Sequence, residues 1–267
     1  RRGLPVSWAW RVARALLGSQ YALMLEYRAE IALWALSGVL PLIMLGVWSG
    51  SGAAAAAGLS AQQLSHYFLA AFVVRQFTVV WLIQVFEDDA LQGRLSPFLL
   101  QPLSPLWRYL AAHFSEQASR IPFVAVMLLV VGLAAPGLLW LPSAGNLLLG
   151  ILAIVAAFLL RFLLQVLVTT LCFWSERAAA LDRLLMIPYL FLSGIVAPLN
   201  TFPPAVRRLA LATPFPWMVD FPARLLAGEP VNVALGFGAI AAWCLLLLPI
   251  GHWLWRAGLR RYSAMGA

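Results

Sequence analysis

The chain of 267 residues is 63% hydrophobic and only 10% charged, with a mean hydropathy of +0.88. A soluble domain carries about 25% charged residues, so this chain lacks the polar surface to face water on all sides. The net charge of +8 comes from 18 basic residues, all arginines, against 10 acidic ones. These arginines lie between and beside apolar runs rather than on one solvated face, a pattern that orients a membrane protein and does not read nucleic acid.

Residues 5–27 come first. Trp8, Trp10, Leu16, Leu17, Tyr21 and Leu25 supply apolar bulk, while Arg11, Arg14 and Gln20 are polar. That mixture predicts an amphipathic helix lying in the membrane interface over 1–28, with its arginines toward anionic lipid. It serves either as a simple anchor or as a docking surface for a partner.

Apolar runs of about 20 residues cross a hydrocarbon core, and six are expected, at about 29–49, 67–86, 121–141, 146–173, 183–199 and 233–255. The first of them lacks a small-residue cleavage site and is expected to stay as a span rather than be removed. The predicted fold is thus an all-α membrane protein with a six-helix domain over 29–257 and a tail over 258–267. Two longer connections interrupt it. Residues 87–120 form a polar segment punctuated by Gly93, Pro97, Pro102 and Pro105, and are expected to hold short helices at fixed angles. Residues 200–232 carry Pro203, Pro204, Pro214, Pro216, Pro222 and Pro230, and are expected to form short re-entrant helices on the external side.

Orientation follows from the arginines. Arg1, Arg2, Arg11, Arg14, Arg28, Arg94, Arg108, Arg120, Arg177, Arg183, Arg256, Arg260 and Arg261 fall on one side of the six spans. Arg207, Arg208 and Arg224 fall on the other, and Arg75 and Arg161 lie within spans. The positive-inside rule makes both termini cytoplasmic.

Much chemistry is excluded. Without lysine there is no G-x-x-x-x-G-K-[ST] phosphate loop, so this chain holds no ATP site of that kind. His66, His113 and His252 are far apart, and Cys172 and Cys244 sit in apolar runs, so no metal site is expected. No G-x-S-x-G elbow occurs. The acidic trio Glu87-Asp88-Asp89 lacks the spaced repetition of a metal-dependent lipid transferase and reads as a solvated helix end. Within the six expected spans the only carboxylate is Glu30, which disfavours a proton-driven mechanism.

Two stretches carry a family resemblance. Glu87-Asp88-Asp89-Ala-Leu-Gln-Gly93-Arg94-Leu95, followed by Leu99-Leu100-Gln-Pro102-Leu-Ser104, resembles the first cytoplasmic loop of ABC-2 type transporter permeases. Leu192-Ser193-Gly194, Pro198, Phe202-Pro203 and Pro214 resemble the end of their fifth span and their external re-entrant helices. Arg94-Leu95-Ser96 stands where many relatives have Thr-Leu-Glu, a departure at the contact itself. The resemblance implies the permease subunit of an ATP-driven exporter in a bacterial cytoplasmic (inner) membrane, with no catalytic site of its own. ATP and magnesium would be bound by a partner ATPase dimer. Glu87, Asp88, Asp89, Gly93, Arg94, Leu95 and Pro102 would couple to that ATPase. A second permease would complete the pathway, a paralogue in preference to an identical copy. The rival readings are a secondary transporter and a membrane-embedded lipid-processing protein.

Within the spans, Arg75, Gln76 and Arg161 are the pathway candidates. Counted from His66, Arg75 lies about 14 Å deep at 1.5 Å per residue, near the midplane. There an arginine costs about 2.5–3.5 kcal/mol on insertion scales. It either bonds backbone or a neighbouring subunit, or meets an anionic group of the substrate. Arg161 lies nearer a membrane surface and is able to snorkel.

Overall fold

The computed structural model describes residues 6–50, 58–175 and 178–264, and all regular structure in them is helical. The first helix, α1 (Val6–Glu26), falls within residues 1–28, where an interfacial helix is expected. It runs beside a later helix and is fastened there by the Ser115 hydroxyl, which donates to the Leu17 carbonyl at 3.2 Å. Trp10, Tyr21, Leu23 and Leu25 remain exposed along it, as suits a helix lying against lipid.

Five stretches among the described residues are long and apolar enough to cross a membrane: Ala29–Gly50, Ala61–Leu91, Pro105–Ala134, Ala144–Phe173 and Val233–Tyr262. Two of them are interrupted. The first consists of α2 (Arg28–Ser37) and α3 (Leu40–Gly50), joined through Gly38. A Cβ on Gly38 would lie 2.5 Å from the Gln76 Nε2, so only glycine admits that side chain. The second consists of α4 (Ala61–Thr78) and α5 (Leu82–Leu91), with residues 79–81 outside any helix.

The polar segment 87–120 resolves into three parts. Its start ends α5, its middle is α6 (Leu95–Leu99), and residues from 105 onward open the 30-residue α7 (Pro105–Ala134). Proline fits the first turn of a helix, where its missing N–H has no intrahelical partner anyway. At 1.5 Å per residue α7 is about 45 Å long, longer than the hydrocarbon core of about 30 Å. The surplus explains why residues 105–120 carry the polarity of a connection while remaining helical.

The fourth long stretch is α8 (Ala144–Thr169) with a 3₁₀ turn at Thr170–Phe173. The fifth expected span, 183–199, differs from expectation. Only α9 (Ala178–Leu192) is helical there; its 15 residues cover about 22 Å and fall short of a hydrocarbon core of about 30 Å. Beyond it residues 193–198 are irregular. The proline-rich segment then forms a 3₁₀ turn at Leu199–Thr201 and the short helices α10 (Pro204–Leu211), α11 (Phe215–Met218) and α12 (Asp220–Ala227). The last helix, α13 (Val233–Ala264), continues through Pro249 into the arginine-bearing tail.

The two larger of three apolar clusters among the described residues lie toward opposite ends of α4–α5. Tyr67, Phe68, Val74, Leu160, Met218 and Leu226 belong to one, which gathers α4, α8, α11 and α12. Phe86, Leu95, Phe158, Phe173 and Trp255 belong to the other, at the opposite end of α4–α5. Phe86 meets Phe173, Trp255 and Tyr109 edge-on with centroids 5.6, 5.8 and 6.0 Å apart. Helix α12 sinks deeply into the first core. Cβ atoms on Gly150 and Gly236 would fall within 2.3 and 2.0 Å of Leu226 and Phe221, so both glycines make room for it.

Gly38→Ala is expected to push Gln76 off the Ala35 carbonyl, where its Nε2 now donates at 2.8 Å. Leaving those buried groups unpaired should lower stability by about 1–3 kcal/mol, which thermal unfolding of the purified protein in detergent would measure.

Candidate functional site

At one end of the bundle, residues 91–104 turn sharply between α5 and α7. Gly93 makes the turn at a φ of +71°, a left-handed conformation that side chains disfavour. The turn is braced from within. Asp89, nearly buried, accepts from Arg94 Nε at 2.8 Å and from the Tyr109 hydroxyl at 2.8 Å, which ties it to α7. Glu87 Oε2 accepts from the Ala179 N–H at 2.8 Å and so caps the first turn of α9, where a carboxylate also meets the positive end of the helix dipole. Ser96 and Tyr262 share a hydrogen bond at 3.0 Å, which ties α6 to α13. The guanidinium of Arg108 lies 4.0 Å from the centroid of Phe98.

The seven residues expected to form the coupling surface therefore separate. Asp88, Gly93, Arg94 and Pro102 are exposed. Glu87 and Asp89 face inward to α9 and α7. Leu95, expected to face a partner, is 0% exposed and belongs to the core of Phe86, Phe173 and Trp255. The large apolar side chain that does stand out is Leu100, at 89% exposure, with Leu91 on the same turn.

Deeper in the bundle, the break between α4 and α5 is closed by side chains from α7. The freed Trp81 N–H donates to His113 Nε2 at 3.3 Å. Because that nitrogen accepts, the ring proton sits on Nδ1, which donates to the Tyr109 carbonyl at 2.7 Å. The Gln76 carbonyl accepts from Arg120 Nη1 at 3.3 Å. Glu116 accepts from the Trp81 indole at 2.6 Å and pairs with Arg120 Nη2. His113, Glu116 and Arg120 occupy one face of α7 at spacings of three and four residues, as helical geometry requires for side chains that act together.

Of the three pathway candidates, Gln76 is 1% exposed and holds the gap at Gly38. Arg75 is half-buried, and its Nε is enclosed without a hydrogen-bond partner among the described residues. Its helix starts at Ala61 rather than near His66, which puts Arg75 about 21 Å along α4 and one turn before the break. Arg161 lies with its guanidinium 3.8 Å from the Tyr189 ring, beside Gln165, which donates to Asp182. No group of three or more His, Cys, Asp or Glu side chains placed to hold a metal ion occurs among the described residues.

A family model described as ABC-2 family transporter protein matches residues 51–266. The chain belongs to the ABC-2 transporter family. It is a membrane transport component, and permeases of this family work with an ATPase partner. No curated protein matches the chain closely enough to count as a relative.

Several buried polar residues of this permease escape a reading by hydropathy. Glu116 and Arg120 lie in the polar opening of α7, where a polar connection with short helices is expected rather than the start of a membrane-length helix. Asp220 is buried in α12, its Oδ1 accepting from the Tyr67 hydroxyl at 2.8 Å and from the Leu199 N–H at 3.4 Å. Burial pushes its carboxyl up to about 6, against the opposing pull of Arg224 and of the Tyr67 hydroxyl. The i, i+4 spacing of Glu116 and Arg120 was the one signal available, since opposite charges so placed meet on a helix.

Removing Glu116 tests how far the break depends on it. Glu116→Ala leaves Arg120 and the Trp81 indole unpaired, and should cost about 3–5 kcal/mol. The double variant Glu116→Ala, Arg120→Met should recover part of that loss in the same thermal unfolding assay.

Proposed function

We propose that this chain is the permease subunit of an ATP-driven exporter, forming half of a translocation pathway and receiving its motion from a separate ATPase dimer at residues 91–102. The observation that carries the reading is the bracing of that turn. Glu87, Asp89 and Ser96 link it to α9, α7 and α13 respectively, so a push on the turn reaches three membrane helices. A merely solvated connection has no use for three such ties, each of which orders side chains at an entropic cost.

In this reading both termini are cytoplasmic and the turn projects into the bacterial cytoplasm. Helix α9 with residues 193–199 completes a sixth crossing, and α10–α12 are re-entrant from the external side. The depth of α12 in the core and the irregular backbone covered at 193–198 support this, because unpaired backbone survives at membrane depth only where protein or a cavity shields it. A second permease, a paralogue in preference to an identical copy, supplies the other half.

The partner contact then rests on Leu100, Leu91, Gly93 and Arg94 rather than on Leu95. Leu100→Asp should abolish copurification of the ATPase while leaving the melting temperature of the permease unchanged. Leu95→Asp should instead destabilise the permease itself, by about 4 kcal/mol, because it buries a charge in the aromatic core. Normal ATPase association and transport by the Leu100→Asp protein would refute the docking role.

Arg75 is the pathway residue in this reading. Its enclosed Nε and the absence of an ion pair to it among the described residues leave its charge available to an anionic group of the substrate. Arg75→Lys should retain part of the transport activity, and Arg75→Gln should lose it with the complex intact. Dissociation of the Arg75→Gln complex, seen by size-exclusion chromatography, would assign Arg75 to assembly.

A further inference from the structure

Arg207, Arg208 and Arg224 stand at the end of the bundle opposite the braced turn, where the charge pattern of a membrane protein disfavours arginine. Two of them border one cavity. It has a volume of about 270 Å³ and lies between α10, α11, α12 and the start of α13, with Arg207, Trp217, Arg224 and Asn232 among its walls. Trp217 is 8% exposed, and its indole N–H is buried with no partner among the described residues. An unpaired buried donor costs about 1–3 kcal/mol, so a ligand that accepts from it gains that much relative to an empty site.

The groups offered to an occupant are mainly donors. Arg207 is exposed and makes no ion pair among the described residues. Arg224 gives its Nε to Glu229 at 2.7 Å, an arrangement that leaves the terminal nitrogens of the fork outside that bond. Asn232 uses its Oδ1 to accept from the Leu235 N–H at 2.9 Å, which leaves its amide nitrogen as the free end. Asp220 is the acidic residue of the cavity wall, and its Oδ1 is taken up by the Tyr67 hydroxyl and the Leu199 N–H.

Apolar side chains complete the wall. Leu211 and Leu235 are exposed there, and Leu235 stands at the first turn of α13, a membrane-length helix. Guanidinium and indole donors beside an apolar lip fit an amphiphile with a compact anionic head. The volume equals that of roughly nine water molecules in the liquid, enough for a phosphate with a short polyol attached.

We propose that this cavity binds the phosphate headgroup of an anionic phospholipid, with Arg207 and the Trp217 indole as its principal donors and the acyl chains leaving past Leu211 and Leu235. The assignment of that lipid to the outer leaflet rests on the orientation proposed above, whereas the binding itself does not.

The test uses the full-length permease, purified in neutral detergent and titrated with phosphatidylglycerol, phosphatidylcholine or inorganic phosphate, with bound molecules counted by native mass spectrometry. Phosphatidylglycerol should be retained in preference to phosphatidylcholine. Arg207→Gln should weaken it by roughly tenfold to a hundredfold, and Trp217→Phe, which keeps the ring and deletes the donor, by roughly threefold to tenfold. Arg208→Gln makes the same change of charge on a residue outside the cavity and should leave binding unchanged. Equal retention of the two lipids, or equal losses in the Arg207 and Arg208 variants, would overturn the site in favour of diffuse attraction. Inorganic phosphate binding as tightly as the lipid, with the same dependence on Arg207, would overturn the lipid assignment in favour of a soluble anion. None of these readouts involves the ATPase or transport, so a failure here is separate from a failure of the exporter reading.

Discussion

A backbone amide or carbonyl released from a helix inside a bilayer has no water to turn to, and the interruption at residues 79–81 releases both kinds. His113 takes the Trp81 N–H, Arg120 takes the Gln76 carbonyl, and Thr78 bonds back to Val74. The rest of the bundle depends on this closure. Gln76 is held in place by the same turn of α4, and its amide fills the gap at Gly38 in the preceding span. Remove the α7 face, and two interrupted spans lose their partners together.

The ion pair at the centre of that closure contributes position more than stability. A buried pair of Glu and Arg sacrifices hydration on both sides, and an apolar replacement of the same shape is often as stable. What an apolar replacement cannot do is accept from an indole N–H and donate to a carbonyl at once. Glu116 and Arg120 perform both tasks, and they do so at one register of α7 against α4 only. A shift of α7 by one turn would leave every member of the set unpaired, which makes the register costly to change.

Hydropathy and arginine placement made most of the helices legible, because a run of apolar residues has few other fates. The first helix α1, the long α8 and α13, and the short helices α10 to α12 of the proline-rich segment all fall within the stretches where the pattern puts helices. The interruption at 79–81 was not legible. It contains neither glycine nor proline, only Val79, Val80 and Trp81, and the β-branching of the two valines disfavours a helix too weakly to predict a break. Its cause lies 35 residues away in Glu116 and its neighbours, and a sequence window does not connect the two. At the turn, the acidic trio was visible, but alternation of its roles was not. Asp88 points outward while Glu87 and Asp89 point inward, because α5 still turns 100° per residue there. The burial of Leu95 follows from the same cause, since the α6 helix returns it to the core.

These two features bear on each other. Helix α5 has ten residues, with the interruption at one end and the braced turn at the other. A helix of that length, fixed internally by its own hydrogen bonds, moves more readily as a unit than it bends. A displacement of the turn would therefore be carried to residues 79–81, where the backbone is already free of the helical ladder and α4 need not break to follow. The links from Asp89 to Tyr109 and from Trp81 to His113 both end on α7, one turn apart. The two ends of α5 consequently share a single support. A displacement of the turn relative to α7 must strain one of those bonds or carry α7 with it, and α7 carries Glu116 and Arg120. Arg75 lies one turn of helix from the same interruption, so the geometry that closes the break also sets where its guanidinium stands.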